Sequence, residues 1–593
     1  MPSVELHCIS KAVPLSDGKH LALSVWCPQE PVAKAYPVVL ITTRYWRAYA
    51  FKRNDQKAQI FYPLAVGLAA KDYRLAVADA RGTGASSGMR LAETDAQEIA
   101  DLGELIQWVA EQKWCDGRVA TTGCSYSAIT TLYSLVNAPD ALKLGVCRAP
   151  DFDMYRHLFA PGGIVNRWFI ESWGAVTAAQ DANNVEGLFS NGYWPEPEGG
   201  AKNLLGVLPI DDDHDGSMLA RSIQERQTTF NIANDIGTLE FIDGFITENN
   251  PPLYDPAIKQ AIEKGATPCV VRCGWHDAGT ALGALALYNT FAGPFRVTLG
   301  PLNHEGTYLV DPFQAGDGTV AERPPEGSSF NSRVKSLDQV LKDNKPITRA
   351  VEYFTLGKNR WNTTTQWPLS QTQYRRWYLS SNHQLTQDRP SIGQGDDIYQ
   401  VDNTATTGRF NRWYAQSPDQ PVLFPDRQQE DKKLLVYDTP PLAQDTEITG
   451  HPLVSLWLSS SASDGHFFAY LETIDPDGRV RLLTEGQLRG LHRKVSTDTP
   501  PYHFFGPYHS LKQQDAEPLV PNAVTEISFD LLPISVWLKK GQRIRLAIAG
   551  ADADTFDPLD NKANLRVERN AIHASYIELP IIPYTEPAGD NYA

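Results

Sequence analysis

No apolar run in this chain approaches the roughly 20 residues that a helix needs to cross a bilayer. Candidates such as Tyr36-Pro37-Val38-Val39-Leu40-Ile41 are the size of a single strand. Positive charge is also short: 54 Lys and Arg stand against 70 Asp and Glu, a net −16. An acidic chain repels phosphate backbones, which argues against a nucleic-acid partner. Cysteines are few and odd in number, seven in all, none beyond Cys273. That usage suits reduced, buried thiols better than a disulfide framework. The stretch Met1–His7 has neither a basic nor an apolar segment of the secretory kind. A cytoplasmic location is therefore expected, with no membrane attachment. Cys269 and Cys273 flank a strand-like run and stand too far apart to share a metal. No other ligand cluster stands out, so neither a metal nor an organic cofactor is expected. The acidic tract Asp211-Asp212-Asp213-His214-Asp215-Gly216 lacks calcium-loop spacing and reads as a solvated loop.

What is present is a long chain rich in aromatics, with 593 residues that include 24 Tyr, 22 Phe and 14 Trp. Length alone suggests roughly three to four domains. Val13 to Trp26 reads as a hairpin turning at Asp17-Gly18 and leading into an alternating strand. Val38–Thr43 and Tyr73–Asp79 are continuous apolar runs, the pattern of strands covered on both faces. Helical spacing runs around Ala65–Ala70 and from Glu98 to Glu111. Alternating strands and helices predict a parallel sheet. From about residue 151 to 250 aromatic and glycine-rich pieces alternate with helical stretches such as Ser217 to Asn231, without strand periodicity. This predicts a helical insertion over one edge of the sheet. The αβ pattern returns at Pro268–Cys273 and Phe295–Leu299, with a helix from Phe330 to Leu341 and a strand at Val351–Thr355. Beyond about Pro368 short strands and turns take over, as expected of an all-β sandwich or jelly roll. The expected division is 1–150 and 251–366 for the α/β core, 151–250 for a cap, and 367–593 for the β unit.

The chemistry centres on Gly123-Cys124-Ser125-Tyr126-Ser127, which joins a strand at Gly117–Thr122 to helical residues Ile129–Val136. Strand, Gly-x-Ser-x-small and helix form the nucleophile-elbow pattern, with the serine hydroxyl exposed at the sheet's carboxyl edge. Ser127 stands where this pattern usually has a glycine. A serine needs a base to take its proton, and the base needs a carboxylate to fix its tautomer. The order Ser, acid, His is met by Ser125, Asp277 and His304, each just past an expected strand. His276 precedes the acid on the same loop and is the poorer base.

Taken together these motifs resemble the cocaine esterase/X-prolyl dipeptidyl-peptidase-like (CocE/NonD) acyl hydrolases. The carriers are Arg44-Tyr45, Asp79-Ala80-Arg81-Gly82-Thr83-Gly84, Trp114-Cys115-Asp116-Gly117-Arg118-Val119, Gly274-Trp275-His276-Asp277 and Gly300-Pro301-Leu302-Asn303-His304. Asp475-Pro476-Asp477-Gly478-Arg479 and Gly541–Leu546 extend the resemblance into the β unit. It implies an α/β hydrolase fold core with an inserted helical cap, plus a C-terminal all-β jelly-roll domain. It also implies Ser125 as nucleophile, His304 as base and acid, and Asp277 as the orienting carboxylate. The oxyanion hole would combine the Tyr45 hydroxyl with the backbone N–H of Tyr126. Relatives that cleave X-proline dipeptides generally carry a further amino-terminal domain, which turns the expectation toward an esterase. Trp46, Asp151, Asp153 and Glu305 are the candidates for contacting substrate. Trp46 and Arg47 would shape the acyl pocket, and the carboxylates would hold a substrate amine. The expected reaction is cleavage of a small-molecule carboxylic ester through an acyl-enzyme, in a chain that could pair as a homodimer. Amide or β-lactam acyl transfer by the same residues is the alternative, and a non-catalytic carbohydrate-binding protein is a second.

Overall fold

The computed structural model describes residues 6–28, 34–53, 55–194, 196, 201–234, 236–314, 316–391, 393–559 and 562–583. Met1–Glu5 of the amino-terminal stretch lie outside them. The first sheet has ten strands: β1 (Leu6–Pro14), β2 (His20–Pro28), β3 (Tyr36–Thr43), β4 (Arg74–Asp79), β5 (Cys115–Cys124), β6 (Leu142–Arg148), β7 (Cys269–Gly274), β8 (Phe295–Gly300), β9 (Ala350–Thr355) and β10 (Arg360–Thr364). Their spatial order is β1-β2-β4-β3-β5-β6-β7-β8-β9-β10. The hairpin β1–β2 and the edge strand β10 pair antiparallel, β2 meets β4 antiparallel, and the interior from β4 to β9 is parallel.

Alternation of side chains across the pleat divides the core in two. Val38 and Leu40 face helices α2 (Ala96–Ala110) and α3 (Tyr126–Tyr133), whereas Val39 and Ile41 face α1 (Tyr62–Ala69) and the helix at Ser328–Leu337. Coverage on both sides explains why these strands are apolar without interruption. The register aligns the carboxyl ends: Thr43 beside Asp79, Cys124 beside Arg148, and Gly274 beside Gly300. Whatever follows those residues emerges along one edge of the sheet.

The segment after β6 is largely helical, with α4 (Arg167–Asp181) and α5 (Ser217–Glu225) its principal helices. It also contains a short strand, Leu204–Val207, paired with Tyr49–Phe51, which the sequence pattern did not mark. Helix α5 stops at Glu225 and does not reach Asn231. Arg226 instead sends its guanidinium inward, donating to the carbonyls of Asp181 and Gly84, each at 2.7 Å. The acidic tract is more than a solvated loop. Asp213 accepts from the amides of Met218 and Leu219 at 2.9 Å, capping α5. Asp211 ties the segment to β1 through the amide and hydroxyl of Ser10, at 2.8 and 2.7 Å.

From Gln373 onward a second, 13-stranded and almost wholly antiparallel assembly forms the carboxy-terminal unit. Its docking is partly by backbone: the Leu356 amide donates to Ser535 O and the Ala278 amide to Arg412 O, at 2.9 and 3.0 Å. Among the described residues, no helix is long and apolar enough to cross a membrane. All seven cysteines are free.

Candidate active site

Ser125 occupies φ 59°, ψ −129°, between the end of β5 and the first residue of α3. A non-glycine residue held there is strained, and it persists only where the surroundings over-determine it. Here the Ser125 amide donates to Arg148 O at 3.2 Å and its carbonyl accepts from Ala128 and Ile129, at 2.8 and 3.0 Å. The close approach of helix to strand falls on Gly123, where a Cβ would collide with the backbone carbonyl and Cβ of Ser127. Ser127 thus keeps its side chain because Gly123 has none.

Asp277 and His304 follow β7 and β8 and are both buried. The imidazole Nδ1 lies 2.9 Å from Asp277 Oδ1, and Thr280 Oγ1 donates to Asp277 Oδ2 at 3.1 Å. Burial alone would lower the His304 pKa; Asp277, with smaller help from Asp151 and Glu305, outweighs it and raises the value. The other ring nitrogen, Nε2, is buried without a hydrogen-bond partner. The Ser125 hydroxyl interacts instead with that of Tyr45.

Tyr45 is presented by the turn after β3. Its amide donates to Thr43 Oγ1 at 3.0 Å. Asp79 fastens this turn to the glycine-rich loop: one carboxylate oxygen accepts from the Arg47 amide at 2.6 Å, the other from the Ala85 amide at 2.8 Å. Gly84 packs so close to that carboxylate that no side chain fits there. Behind Tyr45, Arg44 pairs with Glu93 at 2.5 Å and Asp181 at 3.2 Å, while Arg90 pairs with the same two at 3.2 and 2.8 Å. Two cations and two anions, all deeply buried, balance one another and lock α4 to the Tyr45 turn. The Tyr45 hydroxyl accepts from Trp173 Nε1 at 3.0 Å, which leaves its own proton to the Ser125 side. Burial raises its pKa, only partly offset by Trp173, Arg44 and Ser125, so it stays a donor well into the alkaline range.

Tyr126 opens α3, so its amide is among the first four of the helix and has no partner within it. Its phenol is committed elsewhere, donating to the Glu98 carboxylate at 2.6 Å. Burial pushes Glu98 up to about 8 against the pull of Arg90 and that phenol.

The remaining candidates separate. Trp46 is fully buried, with its indole N–H on Gln180 O at 3.2 Å, and has no surface to offer a substrate. Arg47 is likewise spent, on Ser24 Oγ at 2.7 Å and Leu208 O at 2.8 Å. Asp153 is held by Arg156 at 3.0 Å and acts on its neighbour Asp151 through its charge. Asp151 does face His304: burial raises its carboxyl to about 7, eased by the imidazole and reinforced by Asp277. One of its oxygens has no partner. Glu305 also acts on His304 and accepts from the Asp419 amide at 3.0 Å. His276 points to the β unit, with Nε2 on Leu483 O at 2.7 Å, and burial drops its pKa to about 3. Sequence reasoning missed two neighbours. Trp173 sits mid-helix in α4, and Gln416, from the β unit, places Nε2 against Asp277 Oδ1 and 3.2 Å from His304 Nδ1. Neither lies in a motif. A recess of about 770 Å³ between α4 and the β unit is lined by Trp168, Tyr193, Tyr414 and Ser417. Tyr193, one of these residues, donates to Gln416 O at 2.8 Å.

The family model for X-Pro dipeptidyl-peptidase (S15 family) matches residues 17–306, and that for the X-Pro dipeptidyl-peptidase C-terminal non-catalytic domain matches residues 343–588. A protein of Mycobacterium bovis described as "Putative serine esterase" is 34% identical, covering 96% of this chain and 94% of its own length. The cocaine esterase of a Rhodococcus species is 24% identical over 96% of this chain and 97% of that protein. Among solved structures, an aminopeptidase of a marine-sediment archaeon covers 98% of this chain and 97% of its own, with TM-score 0.72 and 20% identity. An α-amino acid ester hydrolase covers the same shares, with TM-score 0.69 and 19% identity. At those identities the structures establish the shared fold, an α/β-hydrolase core with a β-rich carboxy-terminal unit. The sequence matches carry the conclusion: this chain belongs to the X-Pro dipeptidyl-peptidase (S15) family and is a serine hydrolase.

Proposed function

We propose that the chain cleaves a small-molecule carboxylic ester through an acyl-enzyme formed on Ser125. The observation that carries this reading is the strained serine at the sheet edge, with the Asp277–His304 pair at 2.9 Å and the Tyr45 hydroxyl beside it. A rotation of the serine side chain would carry its hydroxyl from Tyr45 to the unpartnered His304 Nε2. That nitrogen takes the proton as the oxygen attacks the ester carbonyl. Asp277 accepts from Nδ1–H and stabilises the imidazolium. The tetrahedral oxyanion receives hydrogen bonds from the Tyr45 hydroxyl and the Tyr126 amide, donors aimed at charge that grows in the transition state. His304 then returns its proton to the leaving alcohol. Water enters by the reverse sequence and releases the acid. Trp173 and Trp194, whose ring centroid is 5.3 Å from that of Tyr45, support an apolar acyl group. A cytoplasmic setting belongs to the proposal, supported by the seven free thiols.

The test is labelling by a fluorophosphonate, with turnover of aryl esters of graded acyl length, in wild type, Ser125→Ala and His304→Ala. Labelling and turnover present in wild type and lost in both variants is the expected result. A wild type that neither labels nor turns over any ester overturns the reading.

A further inference from the structure

The match to a C-terminal non-catalytic domain spans residues 343–588, yet Gln416 lies within it and touches the acid of the active site. We infer that Gln416 is a positioning residue for Asp277, so that the β unit completes the charge system of the reaction. The inference rests on the esterase reading and extends it to a part of the chain that holds none of the reacting groups.

Gln416 is 3% exposed. Its amide nitrogen must be the atom facing Asp277, because the opposite flip would set a carbonyl oxygen against a carboxylate. Oδ1 then takes two donors, the His304 Nδ1–H and the Gln416 N–H, while Thr280 serves Oδ2. The 3.2 Å approach of the amide to Nδ1 is not a second hydrogen bond, since that nitrogen carries its own proton toward Asp277. The amide therefore acts on the imidazole through the carboxylate alone.

The segment that carries Gln416 is built to stay still. Asn411 accepts from the amides of Trp413 and Tyr414 at 2.9 and 3.0 Å, and donates to Thr407, Gly408 and Thr555. Trp413 donates its indole N–H to Glu485 at 2.6 Å. Arg412 O accepts from the Ala278 amide at 3.0 Å, the residue next to the acid, and Gln416 O accepts from Tyr193 of the cap at 2.8 Å. Core and cap thus meet at one residue of the β unit, the core on the Gln416 side chain and the cap on its backbone carbonyl. A shared oxygen is less basic than one with a single donor. The second donor therefore holds the carboxylate rotamer and tempers how strongly Asp277 draws His304 toward its charged form.

Gln416→Leu removes the donor and keeps the bulk, and Gln416→Glu keeps the shape and adds a carboxyl beside Asp277. Both leave Ser125, His304 and Tyr45 in place. The expected result is a fall in kcat of about tenfold to a hundredfold with little change in KM, as for a misplaced reacting group. It comes with an upward shift of the acid limb of kcat/KM, about half a pH unit or more in Leu and larger in Glu. A packing role alone would lower thermal stability without moving the limb. Should the Leu variant fail to fold, the isosteric Glu variant carries the same pH test. Wild-type kcat with an unmoved acid limb in the folded variants overturns the inference. Because fluorophosphonate labelling of wild-type Ser125 is scored beside them, that outcome is distinct from failure of the esterase reading, in which wild type does not label.

Discussion

Replacing Tyr45 by Phe removes one oxygen and tests the oxyanion hole directly. In the native structure that hydroxyl accepts from Trp173 Nε1 at 3.0 Å and lies against the Ser125 hydroxyl. Deleting one oxyanion donor typically costs about 3–4 kcal/mol, or roughly 10²–10³ in kcat. The ring keeps its place, packed 6.2 Å from Tyr126 and 5.3 Å from Trp194 between centroids, so KM should barely change. Stability should fall by only about 1 kcal/mol, the cost of leaving the Trp173 N–H without its acceptor. Trp173→Phe separates the two roles of that contact. It keeps the hydroxyl but removes the bond that polarises it, and should cost about threefold to tenfold in kcat. In the Tyr45→Phe background the same change should cost nothing further, because the atom it acts through is gone. The assay is steady-state hydrolysis of an aryl ester, with urea melts to confirm folding. A folded Tyr45→Phe enzyme within threefold of wild-type kcat would refute the assignment.

Two further outcomes follow from the geometry around Ser125. A base works only when neutral, and His304 is held above its ordinary value, so kcat/KM should climb as pH rises through that raised pKa. Asp151 is itself raised to about 7 by burial and interacts with the imidazole, so the wild-type limb should show two coupled ionisations. Asp151→Asn removes a negative charge that acts on the imidazolium, so the limb should move to lower pH and steepen into one ionisation; a limb at unchanged pH would contradict that charge effect. Gly123→Ala places a methyl group against the Ser127 backbone and should cost about 3 kcal/mol in urea melts, whereas Ser127→Gly should cost well under about 1 kcal/mol. Equal losses in the two variants would show that the tight approach lies elsewhere.

The sequence by itself determined the architecture because its signals are local and periodic. Uninterrupted apolar runs at Val38–Ile41 and Leu75–Ala78 can only be strands buried on both faces, and Gly123-Cys124-Ser125 announces a turn that few other backbones permit. The order of Ser125, Asp277 and His304 followed once each was seen to end a strand, since parallel strands deliver their carboxyl ends to one edge. Boundaries set by tertiary demand were harder to read. Helix α5 ends where Arg226 turns inward to two carbonyls, and Leu204–Val207 is a strand only because Tyr49–Phe51 lies beside it. Which side chains are spent and which are free was decided by the folded structure alone. Trp46 and Asp153 resemble substrate contacts in the chain but are consumed by Gln180 and Arg156, while Asp151 keeps an oxygen free beside His304. Trp173 and Gln416 reach the site from 128 and 139 residues away from Tyr45 and Asp277, their partners there. No motif marks them, because a hydrogen bond of that span depends on how three units pack and leaves no periodic trace in the chain.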